Sequence, residues 1–166
     1  MIIRKELISD INAISDVTIA AFKTLAISQN TEQFIINALR SANALTISLV
    51  AEIENEIVGH IAFSPVTISD GSLDWHGLGP ISVLPRLHKQ GIGKSLVYEG
   101  LSLLRNLGSK GCVLVGDPRY YKRFGFKNYP QLIHEGIPQE VFLALPFNEE
   151  VPEGTVEFHK AFLACG

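Results

Sequence analysis

Apolar positions change period along this chain, and each period predicts an element. Ile2 and Ile3, followed by Arg4, predict a short first strand. From Ile11, apolar residues recur at Ile14, Val17, Ala21, Phe22 and Leu25, the spacing of a helix with one buried face, with Ser9 or Asp10 placed to cap it. Asn30 followed by Gln33 resembles a second helix start, and this helix carries Phe34, Ile36 and Leu39. The connector 23–29 is less regular. From Thr46 the pattern changes to that of strands. Ile47–Ile53 and Ile57–Phe63 flank Glu54-Asn55-Glu56, which predicts a hairpin, and Val66-Thr67-Ile68 continue its second strand beyond Pro65.

A second turn at Ser69–Ser72 leads to Trp75 and a strand with Gly77, Gly79 and Pro80 inside it. Those residues mark either a bulge or close backbone approach, or a strand that starts only at Ile81. A basic turn follows Pro85. Then comes a helix that places Ile92, Leu96, Val97, Leu101, Leu104 and Leu107 on one face, with Gly108 and Gly111 as stop signals. Cys112–Val115 reads as a buried strand. Asp117 as N-cap and Pro118 at the first position predict a brief helix that Gly125 ends. Turns at Asn128, Pro130, Gly136 and Pro138 precede a strand at Val141–Pro146 and a last apolar stretch around Val156–Phe162.

Composition narrows the class. With 166 residues, 46% hydrophobic and 19% charged, the chain is expected to form one compact domain over residues 1–166. A net charge of −3, from 14 basic and 17 acidic residues, argues against a nucleic-acid partner. No apolar run approaches the ~18 residues of a membrane span, and the start, MIIRKELISD, lacks the apolar core of a signal peptide. The two cysteines require no disulfide: Cys112 sits in an apolar run and Cys165 near the end. A cytoplasmic location follows as the default.

Candidate chemistry gathers between Gly77 and Ser95, in GLGPISVLPRLHKQGIGKS. Strand, loop and helix meet there with two glycines at the helix start. Unpaired N–H groups and the helix dipole suit an anion at such a point, and glycines let it approach the backbone. Lys94 in the first turn would oppose the dipole by about 0.3–1 kcal/mol unless something anionic lies beside it. Gly93-Lys94-Ser95 ends like a phosphate-binding P-loop, but that motif needs glycine where His88 stands. The dinucleotide pattern needs a third glycine where Leu96 stands. His88-Lys89-Gln90-Gly91-Ile92-Gly93 instead matches the acyl-CoA turn [Q/R]-x-x-G-x-[G/A] at every position but the first.

A second motif, Val113-Leu114-Val115-Gly116-Asp117-Pro118-Arg119-Tyr120-Tyr121-Lys122-Arg123-Phe124-Gly125-Phe126, follows one helix and one strand later. Together the two motifs and the order of elements resemble the GNAT superfamily of N-acetyltransferases over essentially the whole chain. The closest likeness is to small bacterial members with LGP before the CoA turn and GDPxYYxRFGF after it. The resemblance implies an α/β fold of the α+β type: a mixed, mainly antiparallel central sheet with helices on both faces, whose central strands splay to admit acetyl-CoA. It implies that backbone groups of Ile81, Ser82 and Val83 bind pantetheine, with the Val83 N–H beside the thioester carbonyl. The pyrophosphate would lie on the turn and helix start, His88, Lys89, Gln90, Gly91, Ile92, Gly93, Lys94 and Ser95. The family has Gln or Arg where His88 stands, and a neutral imidazole offers a phosphate at most one N–H.

The implied activity is transfer of acetyl from acetyl-CoA to a primary amine, by direct attack in a ternary complex. Tyr121 would lie near the sulfur as the acid for the leaving thiolate; packing is the other reading of an aromatic run that also holds Tyr120, Phe124 and Phe126. Glu52, Glu54, Glu56, His60, Asp74 and His76 are all open as the base, as is water alone. His134 and His159 lack metal-ligand spacing, so no metal is expected. The amine is not identified by the sequence, and a homodimer is left open. A CoA-binding regulatory module and a transferase of longer acyl groups are the rival readings.

Overall fold

A computed structural model describes residues 1–26 and 28–166 of the chain. Ile27, within the expected irregular connector, lies outside the described residues. Eight strands, β1 (Ile2–Lys5), β2 (Ile47–Ile53), β3 (Glu56–Ile68), β4 (Trp75–Val83), β5 (Gly111–Val115), β6 (Leu132–Ile133), β7 (Phe142–Pro146) and β8 (Gly154–Phe158), form one sheet with the path β1-β2-β3-β4-β5-β7. Strand β8 pairs with the far end of β3, and β6 pairs with β8. Among the described residues only β4–β5 and β6–β8 are parallel. The mixed, mainly antiparallel α/β sheet expected from the resemblance is therefore present.

Helices α1 (Ile11–Phe22) and α2 (Glu32–Ser41) cover one face, while α3 (Ile92–Asn106) packs against β2 and β3. The α3 side holds the main core: Leu49, Ile61, Phe63, Leu96, Leu101, Leu104 and Leu114 are almost completely buried. Leu107, placed on that face by periodicity, is 64% exposed, because α3 ends at Asn106 and the chain turns through Gly108 at φ 86°. Leu25 and Phe34 likewise fall outside the buried faces of α1 and α2, which use Ile14, Val17 and Ala21, and Ile35, Ile36 and Leu39.

The cap of α1 differs from expectation. The Asp10 side chain accepts the Leu7 N–H at 2.7 Å and pairs with Arg4 at 2.7 Å, so it closes the preceding 3-10 turn and ties it to β1. The hairpin is as the sequence reads, with Glu54 and Asn55 both at positive φ. The glycine- and proline-bearing segment before Ile81 lies inside β4, and the pairing of β3 with β4 shifts register between Ile61 and Phe63 opposite it.

A buried polar row crosses the sheet beneath α1 and α2. His60 lies opposite Val50 on one side and Ser82 on the other, so these side chains share a face. Ser48 Oγ lies 2.8 Å from His60 Nε2 and donates to Glu6, which Arg40 pairs at 2.8 Å. Ser48 therefore accepts the His60 Nε2 proton, and among the described residues His60 Nδ1 is buried without a partner. Burial pushes the His60 pKa down to about 4. Glu6 is also pulled up by burial, but hydrogen bonds from Arg40 and Ser48 outweigh this and hold it low. Among the described residues no helix is long and apolar enough to cross a membrane.

Candidate active site

The site begins where β4 leaves β5. The two strands pair only at Trp75–Gly111, His76–Cys112 and Gly77–Val113, whereas β4 runs on to Val83. On its other side β4 stays registered with β3 through Ile81–Ile61, Ser82–His60 and Val83–Gly59, and the Leu84 N–H donates to the Val58 carbonyl. Antiparallel pairing alternates which residues bond to the neighbour. Leu84 and Ser82 thus direct their backbone toward β3, and Ile81 and Val83 direct theirs toward the gap. An open strand edge with N–H and C=O groups can pair with an extended amide-bearing ligand.

After Val83 a single 3-10 turn (Pro85–Leu87) leads into the glycine turn. Lys89 and Gly91 adopt left-handed conformations, φ 64° and 83°. The first helical bond of α3 is Ser95 N–H to the Gly91 carbonyl at 3.0 Å, and among the described residues no side chain caps the helix. The N–H groups of Ile92, Gly93 and Lys94 therefore have no partner in this turn. A Cβ on Gly93 would meet Tyr120 Oη at 3.6 Å and Val83 Cγ2 at 3.7 Å, ordinary contacts, so packing does not require glycine there.

His88 does something the sequence did not indicate. Its Nε2 lies 2.9 Å from the Val83 carbonyl, so the ring N–H expected to face a phosphate is spent on the end of β4. Ser95 falls outside the lining of the adjoining cleft, as does Gln90, whereas Ile81, Ser82, Val83, His88, Lys89, Gly91, Ile92, Gly93 and Lys94 line it. This cleft, about 610 Å³, also takes in Tyr120, Tyr121 and Arg123. Its charged lining residues are Lys89, Lys94 and Arg123, all basic.

A larger cavity of about 1090 Å³ adjoins it, and Phe22, Leu25, Ile81 and Tyr121 line both. Its walls are mostly apolar, including Leu78, Pro80, Leu114, Phe158 and Phe162, with Glu32, Glu157, Lys160, His134 and His159 as the groups able to carry charge.

The short helix α4 (Pro118–Tyr121) presents the tyrosines. Asp117 caps it, accepting the Arg119 N–H at 2.9 Å, and Gly125 ends the segment at φ 96°. Phe124 and Phe126 are core residues, which leaves the two tyrosines, both partly buried, at the cavity walls. A Cβ at Gly116 would collide with the Tyr121 ring, so the glycine before the cap lets that ring pack. Burial pushes the Tyr121 pKa up to about 12, with Tyr120 and Cys112 adding to it. The phenol thus holds its proton throughout the neutral range. Cys112 is fully buried, and burial raises its thiol far above the usual range, so it is no nucleophile.

None of the six side chains open as a base lines either cavity. Glu52 pairs with Arg4 and Glu56 with Arg86; His60 belongs to the buried row, and His76 Nδ1 lies 2.8 Å from Ser109 Oγ. His134, His159, Glu32 and Glu157 reach the larger cavity instead. Tertiary folding alone brings them there, from α2, from the residue after β6, and from the end of β8 with the residue following it. Among the described residues no group of three or more His, Cys, Asp and Glu is arranged to hold a metal.

Comparison with known proteins identifies the family and the fold. Residues 14–126 match the model of the acetyltransferase (GNAT) family. The uncharacterized N-acetyltransferase YhbS of Escherichia coli (strain K12) is 37% identical over 128 residues, covering 76% of this chain and 74% of that protein. A GNAT family acetyltransferase from Brucella melitensis, solved in complex with acetyl-CoA, superposes with a TM-score of 0.87 at 48% identity, covering 97% of each chain. The E. coli YhbS structure in complex with CoA gives a TM-score of 0.88 at 31% identity, covering 99% of this chain and 93% of that one.

Proposed function

Since the chain belongs to the acetyltransferase (GNAT) family, we propose that it transfers the acetyl group of acetyl-CoA to a primary amine by direct attack in a ternary complex. One observation carries this reading: Tyr121 stands in the wall shared by a basic cleft at an open strand edge and a larger cavity with carboxylates among its lining. Phosphates suit the first and an ammonium-bearing acceptor suits the second.

In this reading the pyrophosphate rests on the free N–H groups of Ile92, Gly93 and Lys94, with Lys89 and Lys94 supplying charge. Pantetheine pairs with the gap-facing backbone of Ile81 and Val83. The Val83 N–H then lies where the thioester oxygen becomes an oxyanion, the position at which a fixed donor lowers the barrier most. The amine enters from the larger cavity and attacks the carbonyl carbon. As the C–S bond breaks, the Tyr121 hydroxyl gives its proton to the sulfur.

The test is CoA release from acetyl-CoA in the presence of a panel of primary amines, with longer acyl-CoAs run in parallel. Amine-dependent CoA release with formation of the N-acetyl amide is the expected result. Binding of acetyl-CoA with no amine-dependent turnover would leave only a CoA-binding module. Faster turnover of a longer acyl-CoA would reassign the donor.

A further inference from the structure

The two histidines of the larger cavity are held by the backbone in opposite ways. His134 Nδ1 lies 2.9 Å from the Val156 carbonyl. A carbonyl can only accept, so Nδ1 carries the hydrogen and a neutral ring has its lone pair on Nε2. His159 Nδ1, in contrast, accepts the Ala161 N–H at 3.0 Å. Its neutral ring must therefore carry the hydrogen on Nε2. One imidazole offers the cavity a proton acceptor, and the other offers a donor.

His134 is fixed further by its neighbours. Its ring meets Phe158 edge-on at 5.0 Å between centroids and lies tilted against Phe142 at 5.5 Å. Among the described residues its Nε2 has no protein partner, and it is not among the atoms sealed from solvent. The carboxylates of the same cavity are less suited: Glu157 is exposed, and Glu32 accepts the Ser28 hydroxyl at 2.8 Å.

Resting on the acetyl-transfer reading above, we infer that His134 is the residue that takes the proton from the acceptor amine. The nitrogen lone pair forms the C–N bond while the carbonyl π pair moves onto oxygen. The N–H proton of the resulting ammonium passes to His134 Nε2. Collapse of the oxyanion breaks the C–S bond, and the thiolate takes the Tyr121 proton. The products are the N-acetyl amide and CoA thiol. The imidazolium and phenolate left behind return to their starting states when one proton passes between them through water. His159, donating at Nε2, orients the acceptor and takes no proton from it.

The probe is phenethylamine, a primary amine on an apolar body that matches the apolar walls, with acetyl-CoA as donor and CoA release as the signal. His134→Asn keeps a donor in reach of the Val156 carbonyl and removes the base. It should lower kcat/KM about 10²–10⁴-fold while acetyl-CoA binding and melting temperature stay at wild-type values. In His134→Ala, free imidazole should restore part of the lost rate. His159→Asn, which loses a donor and no base, should gain nothing from imidazole. Imidazole-nitrogen NMR of the CoA-saturated protein should find hydrogen on Nδ1 of His134 and on Nε2 of His159. Wild-type kcat/KM in His134→Asn, or hydrogen on Nε2 of His134, overturns the assignment and leaves acetyl transfer intact. No turnover of phenethylamine or of any amine in the panel by the wild-type protein overturns the transfer reading and the role of His134 with it.

Discussion

His88 donates its Nε2 hydrogen to the carbonyl of Val83 across 2.9 Å. The two residues bracket the bend between β4 and the glycine turn, so one hydrogen bond fixes how the strand edge and the helix start face each other. The Val83 N–H, on the residue whose carbonyl is held, shares that constraint.

His88→Ala should therefore weaken acetyl-CoA binding without unfolding the protein. Loss of an ordinary hydrogen bond, about 0.5–1.5 kcal/mol, corresponds to roughly a two- to tenfold rise in Kd. His88→Gln, with an amide N–H in the same region, should recover most of it. Calorimetric titration of acetyl-CoA into each variant measures this, and equal Kd values for all three proteins would show that the brace is not felt by the ligand.

The two glycines of the turn should behave differently. Gly91 has φ 83°, so Gly91→Val pays the left-handed penalty of about 1–2 kcal/mol in stability as well as losing affinity. Gly93 has ordinary backbone and room for a Cβ. Gly93→Val should keep its melting temperature and lose acetyl-CoA affinity, because the added methyl groups occupy the phosphate's approach. Thermal shift with and without acetyl-CoA separates the two effects, since ligand at ~100 times Kd adds about 2.7 kcal/mol to a competent protein.

Tyr121→Phe removes only the hydroxyl from a ring whose packing against Gly116 and Phe126 remains. Acetyl-CoA affinity should change little, and the chemical step should slow by about 10²–10⁴-fold. Tyr120→Phe is the matched comparison, because Tyr120 lines only the cleft. Single-turnover rates with an accepted amine give the answer; an undiminished rate in Tyr121→Phe would reduce that phenol to packing.

The buried histidine of the polar row predicts acid sensitivity. His60 titrates near 4 when folded and near ~6.5 when unfolded. Between those values the unfolded chain binds the extra proton. Stability is then full above about pH 6.5 and falls as pH drops toward 4, where the His60 contribution of roughly 3 kcal/mol has been lost. Denaturant titrations across that range should show the slope in the wild type. His60→Gln, uncharged at every pH, should flatten it.

Much of this was readable in the chain because local rules agreed with the fold. Two apolar runs around a short polar turn marked the hairpin, and the Asp117-Pro118 cap and Gly125 stop marked α4. The glycine turn before α3 was legible because Gly91, Gly93 and Lys94 fall within four consecutive residues. Other features depended on partners distant in sequence. Asp10 looks like a helix cap until Arg4 and Leu7 are seen to claim it. His88 looks like a phosphate ligand until the bend returns it to Val83. His134 carried no signal, since the Val156 carbonyl that sets its tautomer comes 22 residues later.

The wall that Tyr121, Ile81, Phe22 and Leu25 share has a consequence for traffic through the molecule. In the proposed reaction donor and acceptor would occupy adjoining compartments, so the finished amide would have its own way out and need not wait for CoA to vacate the cleft. Release of CoA from the glycine turn is then the expected slow event of that proposed cycle. Product-inhibition patterns should register this as CoA competing with acetyl-CoA alone, and added viscogen should slow the steady state while sparing the first turnover.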